Sequence, residues 1–166
     1  MCPHHVIAGF KPVPHDHILM DQERDPYRLQ AKPREPTACP DCHAVFHDGR
    51  WQWKQVPPNA HSVRCPACRR ILEANPAGYI ILEGDIAPSR KQEVLRLIHN
   101  HAEHEKTEHP LQRIMKIENI EDETIITTTD VHLARGIGEA VVKAYGGKLE
   151  LHYNQEDNLI RVYWAQ

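Results

Sequence analysis

The chain has 166 residues, of which 40 % are hydrophobic, and a net charge of −3 at pH 7; this suits one ordinary domain, or a small module joined to a larger one, and argues against wholesale disorder. No apolar run approaches the ~18 residues of a membrane-spanning helix, and the N-terminus lacks the basic and apolar regions of a secretory signal. Five cysteines, four of them in two Cys-x-x-Cys pairs, fit metal binding in a reducing compartment better than a disulfide framework, so we expect a cytoplasmic protein without a membrane partner.

The charges are unevenly distributed along the chain. Residues 31–70 hold seven Lys or Arg against three acidic residues, a balance of +4, whereas residues 71–166 hold ten against sixteen, a balance of −6. A basic module beside an acidic body predicts that an anionic partner contacts the module. Chance clustering in a short segment is the alternative explanation.

The first 36 residues show neither helical nor strand periodicity, because six prolines interrupt every candidate element. We predict an extended arm over residues 1–36, ordered where it lies on the rest of the chain. Within the His- and Pro-rich residues 1–24, several side chains form either a second metal site or, as is more usual at a terminus, an opportunistic cluster. These are Cys2, His4, His5, His15 and His17.

Residues 37–73 form the predicted zinc ribbon, and a hairpin lies at its centre. Asp48-Gly49 is a strong two-residue hairpin signal, because a type I′ turn needs positive φ at both central positions. Pairing across this turn places Phe46 opposite Trp51 and Ala44 opposite Trp53. The three aromatic side chains are then expected to share one face.

Two Cys-Pro-x-Cys turns flank the hairpin, Cys39 to Cys42 and Cys65 to Cys68, with 22 residues between them. Each turn presents two sulfurs to one side of a tetrahedral ion, and two turns complete the shell of a four-cysteine zinc ribbon. We therefore predict structural Zn²⁺ at Cys39, Cys42, Cys65 and Cys68. Such a shell leaves no coordination position for water or substrate. The alternatives are iron in a rubredoxin-like site, a redox dithiol, and no metal at all. A tetrahedral four-sulfur site accepts iron as well as zinc, so the sequence leaves iron open, whereas two matched cysteine pairs fit a redox dithiol poorly.

Each cysteine turn lacks one feature that such turns often have. Glycine commonly follows the second cysteine, whereas here His43 and Arg69 occupy those positions. Both residues are expected to adopt a backbone conformation that favours glycine.

Residues 74–166 are predicted to alternate between strands and helices. The first helix is expected to begin at Ser89, with Gln92 completing a capping box, and to end before His109. The second is capped by Asp130 and ends at Gly146-Gly147. The predicted strands cover residues 78–83, 114–120, 124–129, 149–153 and 159–164.

Apolar residues at helical spacing mark the face that each helix buries. They are Val94, Leu95, Ile98 and Ala102 in the first helix, and Ala134, Ile137, Val141 and Ala144 in the second. The order β-α-β-β-α-β-β matches a ferredoxin-like, or split βαβ, domain with an added C-terminal strand. We thus predict an α+β protein: an N-terminal extended arm, a four-cysteine zinc ribbon, and a ferredoxin-like domain with both helices on one face.

Basic and aromatic residues of the ribbon form the predicted nucleic-acid-binding surface, since cations neutralise phosphates and aromatic rings stack on bases. The set comprises Arg50, Trp51, Trp53, Lys54, Arg64, Arg69 and Arg70. At least one of the tryptophans is expected instead to form the ribbon's own core with Phe46, because so small a module needs every large apolar residue it has.

The sequence contains no phosphate loop, metalloprotease motif or convincing nucleophile–base pair, so we predict a non-enzymatic protein without a small-molecule substrate. His101 and Glu105 are four residues apart on the first predicted helix and have the spacing to chelate a metal. A solvated helix end with mixed charges is the more ordinary interpretation.

Five segments carry a family resemblance: Pro36-Thr-Ala-Cys-Pro-Asp-Cys42, Gly49-Arg-Trp-Gln-Trp53, Cys65-Pro-Ala-Cys-Arg-Arg70, Thr127-Thr-Thr-Asp-Val-His-Leu-Ala-Arg135 and Leu159-Ile-Arg-Val-Tyr-Trp164. From about residue 25 to the end, the chain resembles a family of small bacterial zinc-ribbon proteins of unassigned function. That family is distantly similar to the zinc-binding N-terminal region of the archaeal and eukaryotic adaptor that exports the large ribosomal subunit. The resemblance implies zinc at the four cysteines and a contact with RNA or the ribosome.

Two hypotheses about function follow. In the first, the protein is a non-enzymatic, zinc-stabilised binding protein whose basic ribbon contacts RNA, in the ribosome or elsewhere. In the second, it is a protein–protein adaptor or regulatory module that works through its acidic α+β domain. Salt-dependent RNA binding would separate the two, because only the first relies on phosphate contacts. An enzyme that uses the histidines is a third hypothesis, and metal-dependent turnover would indicate it.

Overall fold

The computed structural model describes residues 8–14, 25–29 and 31–166. In this part of the chain the protein is α+β, with three helices and two separate sheets. The smaller sheet and the shortest helix belong to the ribbon. The larger sheet and the two long helices follow it in the sequence.

The arm contributes one short strand, β1 (Lys11–Val13), and a second contact at residues 25–29. Tyr27 in that second stretch is buried, and its backbone N–H donates to the Asp25 carboxylate at 2.9 Å. The cysteine and histidines predicted as a possible second metal site lie outside the described residues.

The ribbon consists of four short strands and a helix. They are β2 (Thr37–Ala38), β3 (Val45–His47), β4 (Arg50–Gln52), β5 (His61–Ser62) and α1 (Pro66–Glu73). The sheet has the order β4-β3-β2-β5. The predicted hairpin register is confirmed: His47 pairs with Arg50 and Phe46 with Trp51, and φ is positive at both Asp48 and Gly49. The paired strands end at Val45 and Gln52, before the predicted Ala44–Trp53 pair.

Helix α1 is an element that the sequence analysis missed. It begins directly after Cys65, whose Sγ accepts from the backbone N–H of Cys68 as an N-cap does, and Pro66 occupies the first turn. Proline suits that position, because its fixed φ is helical and its missing N–H is not needed there. Arg69 is therefore helical, and the expectation of a left-handed backbone at this residue was wrong. His43 does have a positive φ, of 65°.

The larger part contains five strands and two long helices. In chain order these are β6 (Gly78–Glu83), α2 (Pro88–Glu108), β7 (Ile114–Ile120), β8 (Glu123–Thr128), α3 (Val131–Tyr145), β9 (Lys148–Asn154) and β10 (Leu159–Ala165). Asp130 caps α3 as predicted, accepting from Leu133 N–H at 3.0 Å. Helix α2 begins before the predicted Ser89 cap: its N-cap is Ala87, without a side-chain bond, and Pro88 starts the helix.

The six strands of the larger sheet have the order β1-β9-β10-β6-β8-β7. In the predicted ferredoxin-like arrangement, β9 would lie beside β6. Here β10 lies between them, antiparallel to β9 and parallel to β6, so the sheet departs from that order. The physical reason is a short turn that makes β9 and β10 a hairpin, in which β10 carries three fully buried apolar side chains. These are Ile160, Val162 and Trp164.

Helices α2 and α3 pack against each other and share one core with the sheet. The predicted inward residues Val94, Ile98, Ala134, Ile137 and Val141 are buried together in that core, which confirms the helix faces. Ala144, also predicted to be buried, is exposed, because the buried face of α3 includes Leu133 and Gly138 instead. In the described part of the chain, no helix has both the length and the apolar character needed to cross a membrane.

Candidate metal centre and the surrounding surface

The four predicted cysteine ligands come together in the ribbon. Their Sγ atoms all lie within 4.8 Å of one another, and the Cys42 and Cys65 sulfurs are 3.8 Å apart. A tetrahedron with metal–sulfur bonds of about 2.3 Å has edges of about 3.8 Å. The cluster therefore has the donor set and the size for one tetrahedral metal ion, and three of the four cysteines are buried.

Backbone N–H groups orient the sulfurs within the cluster. The Cys65 N–H donates to Cys39 Sγ at 3.3 Å, and the Cys68 N–H donates to Cys65 Sγ at 3.4 Å. The first cysteine turn is closed by the His43 N–H, which donates to the Cys39 carbonyl at 3.0 Å. Both turns are thus held by local hydrogen bonds, as expected of a preformed site.

A cation from outside the ribbon completes the surroundings of the sulfurs. Arg113 lies between α2 and β7, and its guanidinium donates to Cys68 Sγ and Cys42 Sγ, each at 3.2 Å. A longer contact of 3.6 Å reaches Cys65 Sγ. The guanidinium is held in turn by the Pro110 carbonyl, which accepts from Nε at 2.8 Å. Sequence analysis missed Arg113, because nothing in its local sequence marks it as a neighbour of the cysteines.

The pKa values of the thiols reflect this arrangement. A hydrogen bond from Cys65 is the largest cause that lowers the pKa of Cys42, to about 4, and Arg113 contributes to the same effect. The shared hydrogen bond and burial raise the pKa of Cys65. Burial alone would lower the pKa of Arg113, but its bonds to the sulfurs raise it above its usual value. The guanidinium therefore remains charged and favours the thiolate forms that metal binding requires.

The ribbon contacts the α+β part in the neighbourhood of the metal centre. Leu111 packs against the cysteine cluster beside Trp51. Trp53 donates its indole N–H to the Lys106 carbonyl at the end of α2, at 2.6 Å, and its ring centroid is 5.8 Å from the Arg113 guanidinium carbon. Side chains around the centre thus hold the two parts together.

The tryptophans differ in their surroundings, as the sequence analysis anticipated for at least one of them. Trp51 is half-buried and packs edge-on against Phe46, with ring centroids 5.6 Å apart. Trp53 is 40 % exposed. The predicted ribbon core therefore includes Phe46 and Trp51, whereas Trp53 lies at the contact with α2.

The structure removes Arg70 from the predicted nucleic-acid-binding surface. Its side chain is only 3 % exposed and forms an ion pair with Asp25 at 2.7 Å. It also donates to the Asn75 carbonyl at 3.1 Å and lies 4.2 Å from the centroid of the Tyr27 ring. Arg70 therefore ties the arm to α1. The reason is that α1 turns Arg70 towards the arm and buries it. Arg69 is half-exposed, and its guanidinium lies 5.4 Å from the centroid of the Tyr27 ring.

The remaining predicted cations divide into two groups. Arg64 is paired with Asp41, and Arg69 lies 3.9 Å from Glu73. Arg50 and Lys54 are exposed, and neither forms an ion pair with a carboxylate in the described part of the chain. The unneutralised positive charge of the ribbon is therefore concentrated on the hairpin and not on α1.

Two other groupings of possible ligands have ordinary explanations. Glu35, His47 and Asp48 lie close together, but Glu35 accepts from the backbone N–H groups of Asp48 and Gly49 at 3.0 and 2.8 Å and so braces the hairpin turn. His101 and Glu105 do not join a group of three possible ligands among the described residues. The four cysteines remain the candidate metal centre.

A cavity of about 930 Å³ lies where the arm, the ribbon and the α+β part meet. The ribbon contributes Trp51 to its wall, the arm segment contributes Lys32, and the start of α3 contributes Asp130 and His132. Sequence analysis did not predict this cavity, because its walls come from segments that are far apart along the chain.

No protein-family profile matches the chain, and neither a characterised protein nor a solved structure matches it significantly.

Proposed function

We propose that the metal centre holds zinc and that the protein is a non-enzymatic binding protein which contacts RNA through the hairpin of its ribbon. Support for zinc comes from four thiolate donors at tetrahedral spacing with no open coordination position, which is the arrangement of structural zinc sites. A four-sulfur site also accepts iron. Metal analysis after reducing purification should give one zinc per chain, and iron or less than half an equivalent of zinc would contradict the assignment.

The observation that carries the RNA proposal is the free positive charge beside aromatic side chains on the hairpin. Arg50 and Lys54 are exposed on either side of Trp51 and Trp53. Lys32, also exposed, lines the same cavity as Trp51. Cations that track phosphates next to rings that stack on bases are the usual means of binding single strands. The resemblance to a ribosome-export adaptor makes ribosomal RNA a reasonable first ligand to test.

Salt dependence of binding tests this proposal. If Lys32, Arg50 and Lys54 each neutralise one phosphate of a single-stranded RNA, log K should fall with log salt with a slope of about −2, from roughly −0.7 per contact. The double variant Arg50→Ala/Lys54→Ala should flatten the slope by about 1.4. A matched control, with Glu121, Asp122 and Glu123 changed to the corresponding amides, should not flatten it. Equal slopes for the wild type and the double variant, or no binding at low salt, would refute the proposal.

A protein partner is the second candidate, and one observation favours it. Strand β7 forms an outer edge of the larger sheet, and its Ile117 and Ile120 are 43 % and 51 % exposed. An exposed edge strand with apolar side chains is a template for pairing with a strand of another chain. Purification from cells at low salt distinguishes the two, since ribosomes should accompany an RNA-binding protein and a single protein should accompany an adaptor. Ile117→Lys should abolish the association with a protein partner and should leave any association with ribosomes unchanged.

A further inference from the structure

The cavity where the arm, the ribbon and the α+β part meet has the size of a ligand site. Its volume of about 930 Å³ lies within the range of small-molecule sites, about 300–1,000 Å³. Two of its lining residues, Lys32 and Gly49, are exposed, so the cavity opens to solvent next to the hairpin. A strand that follows Arg50 and Lys54 would therefore pass its mouth.

Part of the cavity lining is apolar and includes an aromatic ring. Trp51 lines it together with Leu111 and Val131. Because the edge of Trp51 is fixed against Phe46 at a 66° angle between the rings, the indole plane is held in place. A fixed aromatic plane with an aliphatic surround is suited to a planar, weakly polar group such as a nucleobase.

The lining also includes hydrogen-bonding side chains. Asp130 and His132 line the cavity at the start of α3. Oδ1 of Asp130 accepts from Leu133 N–H at 3.0 Å, and a hydrogen bond from the backbone N–H of His132 also acts on this carboxyl, lowering its pKa. The two oxygens of a carboxylate have about four acceptor sites, which leaves sites for further donors. Burial raises the pKa of the Asp130 carboxyl, because the charged form is poorly solvated there. An N–H donor from a ligand would restore part of that solvation.

We propose that this cavity holds one guanine nucleotide of the bound RNA strand, with the base against Trp51, its Watson–Crick edge on Asp130 and its phosphate near Lys32. Guanine is the base that fits, because its N1–H and 2-amino groups present two adjacent donors to the carboxylate. Uracil presents one N–H between two carbonyl oxygens, which a carboxylate repels. The inference rests on the proposed RNA-binding function and adds a base preference to it.

Fluorescence anisotropy with two labelled RNA decamers tests the inference. One is oligouridine, and the other is the same strand with a single central guanosine. The wild type should bind the guanosine strand at least about fivefold more tightly, the lower end of discrimination by a bidentate contact. Asp130→Asn should reduce that preference to less than about twofold, while its affinity for oligouridine should remain within about twofold of the wild type. Asparagine keeps the helix cap, so α3 should not be disturbed. Lys32→Gln should weaken the binding of both strands.

The controls separate the possible failures. Asp122→Asn changes an acid at the other end of β8 and should leave the guanosine preference intact. If neither decamer binds at low salt, the RNA proposal itself fails. If both bind equally to the wild type, or if Asp130→Asn keeps the preference, only the assignment of the cavity is overturned. Free GMP is the last ligand to be tested. If GMP binds as tightly as the guanosine strand, the assignment of the cavity to an RNA strand is overturned.

Discussion

Arg113 connects the metal centre to the α+β part through hydrogen bonds to the cysteine sulfurs. Its guanidinium lies 3.2 Å from two of the sulfurs, and a divalent ion with four thiolates carries a net negative charge that one guanidinium partly offsets. Groups of this kind, which contact the ligands and not the metal, typically contribute a factor of about 10 to 100 in metal affinity.

We therefore expect Arg113→Met to weaken zinc binding by about 10- to 100-fold in a chelator competition. Methionine retains much of the length and apolar contact of the side chain but loses the charge and the N–H donors. Arg113→Lys should recover part of the loss, because it restores the charge without the planar fork. The exposed Arg96 on α2 supplies the matched control, and Arg96→Met should leave zinc affinity unchanged. A wild-type affinity in Arg113→Met would show that the guanidinium is only a packing contact.

A second prediction at this scale concerns Arg70, which lies in the arm contact and not in a binding surface. Arg70→Ala leaves Asp25 without its partner and should destabilise the protein by about 3 kcal/mol in chemical unfolding, as expected when one member of a buried pair is removed. Arg69→Ala removes only a longer contact with the Tyr27 ring, at 5.4 Å, and a half-exposed ion pair with Glu73, and should cost less than about 1 kcal/mol. If both variants are equally stable, the arm contact contributes nothing to the fold.

The sequence alone identified the cysteine ligands but not the contacts of Arg113 and Arg70. The four cysteines were found because each Cys-x-x-Cys turn is a local pattern. Arg113 donates to Cys68 from 45 positions further along the chain, and no local pattern reports such a neighbour. Arg70 was assigned to the surface because charge alone gave no indication of a helix that turns it inwards.

At the scale of elements, helix α3 offers an internal comparison. A Cβ added at Gly138 would lie 2.5 Å from Val162 Cγ1 and 3.1 Å from Leu149 Cδ1, whereas one at Gly136 would lie 3.2 Å from the His101 ring. The core side chains around Gly138 have no room to move. The His101 side chain is only half-buried and has room to move.

Gly138→Ala should therefore destabilise the protein by about 1–3 kcal/mol, the usual cost of overpacking. Gly136→Ala should cost less, because alanine's helix propensity, about 1 kcal/mol better than that of glycine, offsets a small displacement of His101. Thermal unfolding of the two variants makes the comparison within one helix. A greater loss in Gly136→Ala would mean that α3 does not pack on the sheet through Gly138.

Elements with a long periodic pattern were predictable, and their neighbours in the sheet were not. The spacing of apolar residues predicts helices α2 and α3, and it also predicts which residues of β9 and β10 face the core. The position of β10 between β9 and β6 does not, since alternation specifies which face a side chain occupies but not which strand lies alongside. Helix α1 was missed because it has only two turns and carries few buried apolar residues.

At the scale of the whole molecule, many of the buried apolar side chains in the described part of the chain belong to one of two separate clusters. One is the large core of α2, α3 and the sheet, and the other surrounds the cysteines. Trp53, Leu111 and Arg113 join the two parts, and all three lie close to the metal centre or to its ligands. We therefore expect metal binding at this centre to affect both the ribbon itself and its attachment to the α+β part.

The last prediction follows from that division. Cys65→Ser removes a metal ligand and the sulfur that caps α1, and metal binding supplies much of the folding free energy of so small a module, on the order of 10 kcal/mol. Amide hydrogen exchange should lose its protection across residues 37–73 and keep it in β6, β8, β10 and α3, whose core contains no cysteine. Removal of zinc from the wild type by a chelator should give the same pattern. Cys2→Ser, which changes the one cysteine outside the two Cys-x-x-Cys pairs, should behave as the wild type. Loss of protection throughout the chain in Cys65→Ser would show that the larger core depends on the metal centre, and the protein would then be one cooperative unit joined through Arg113.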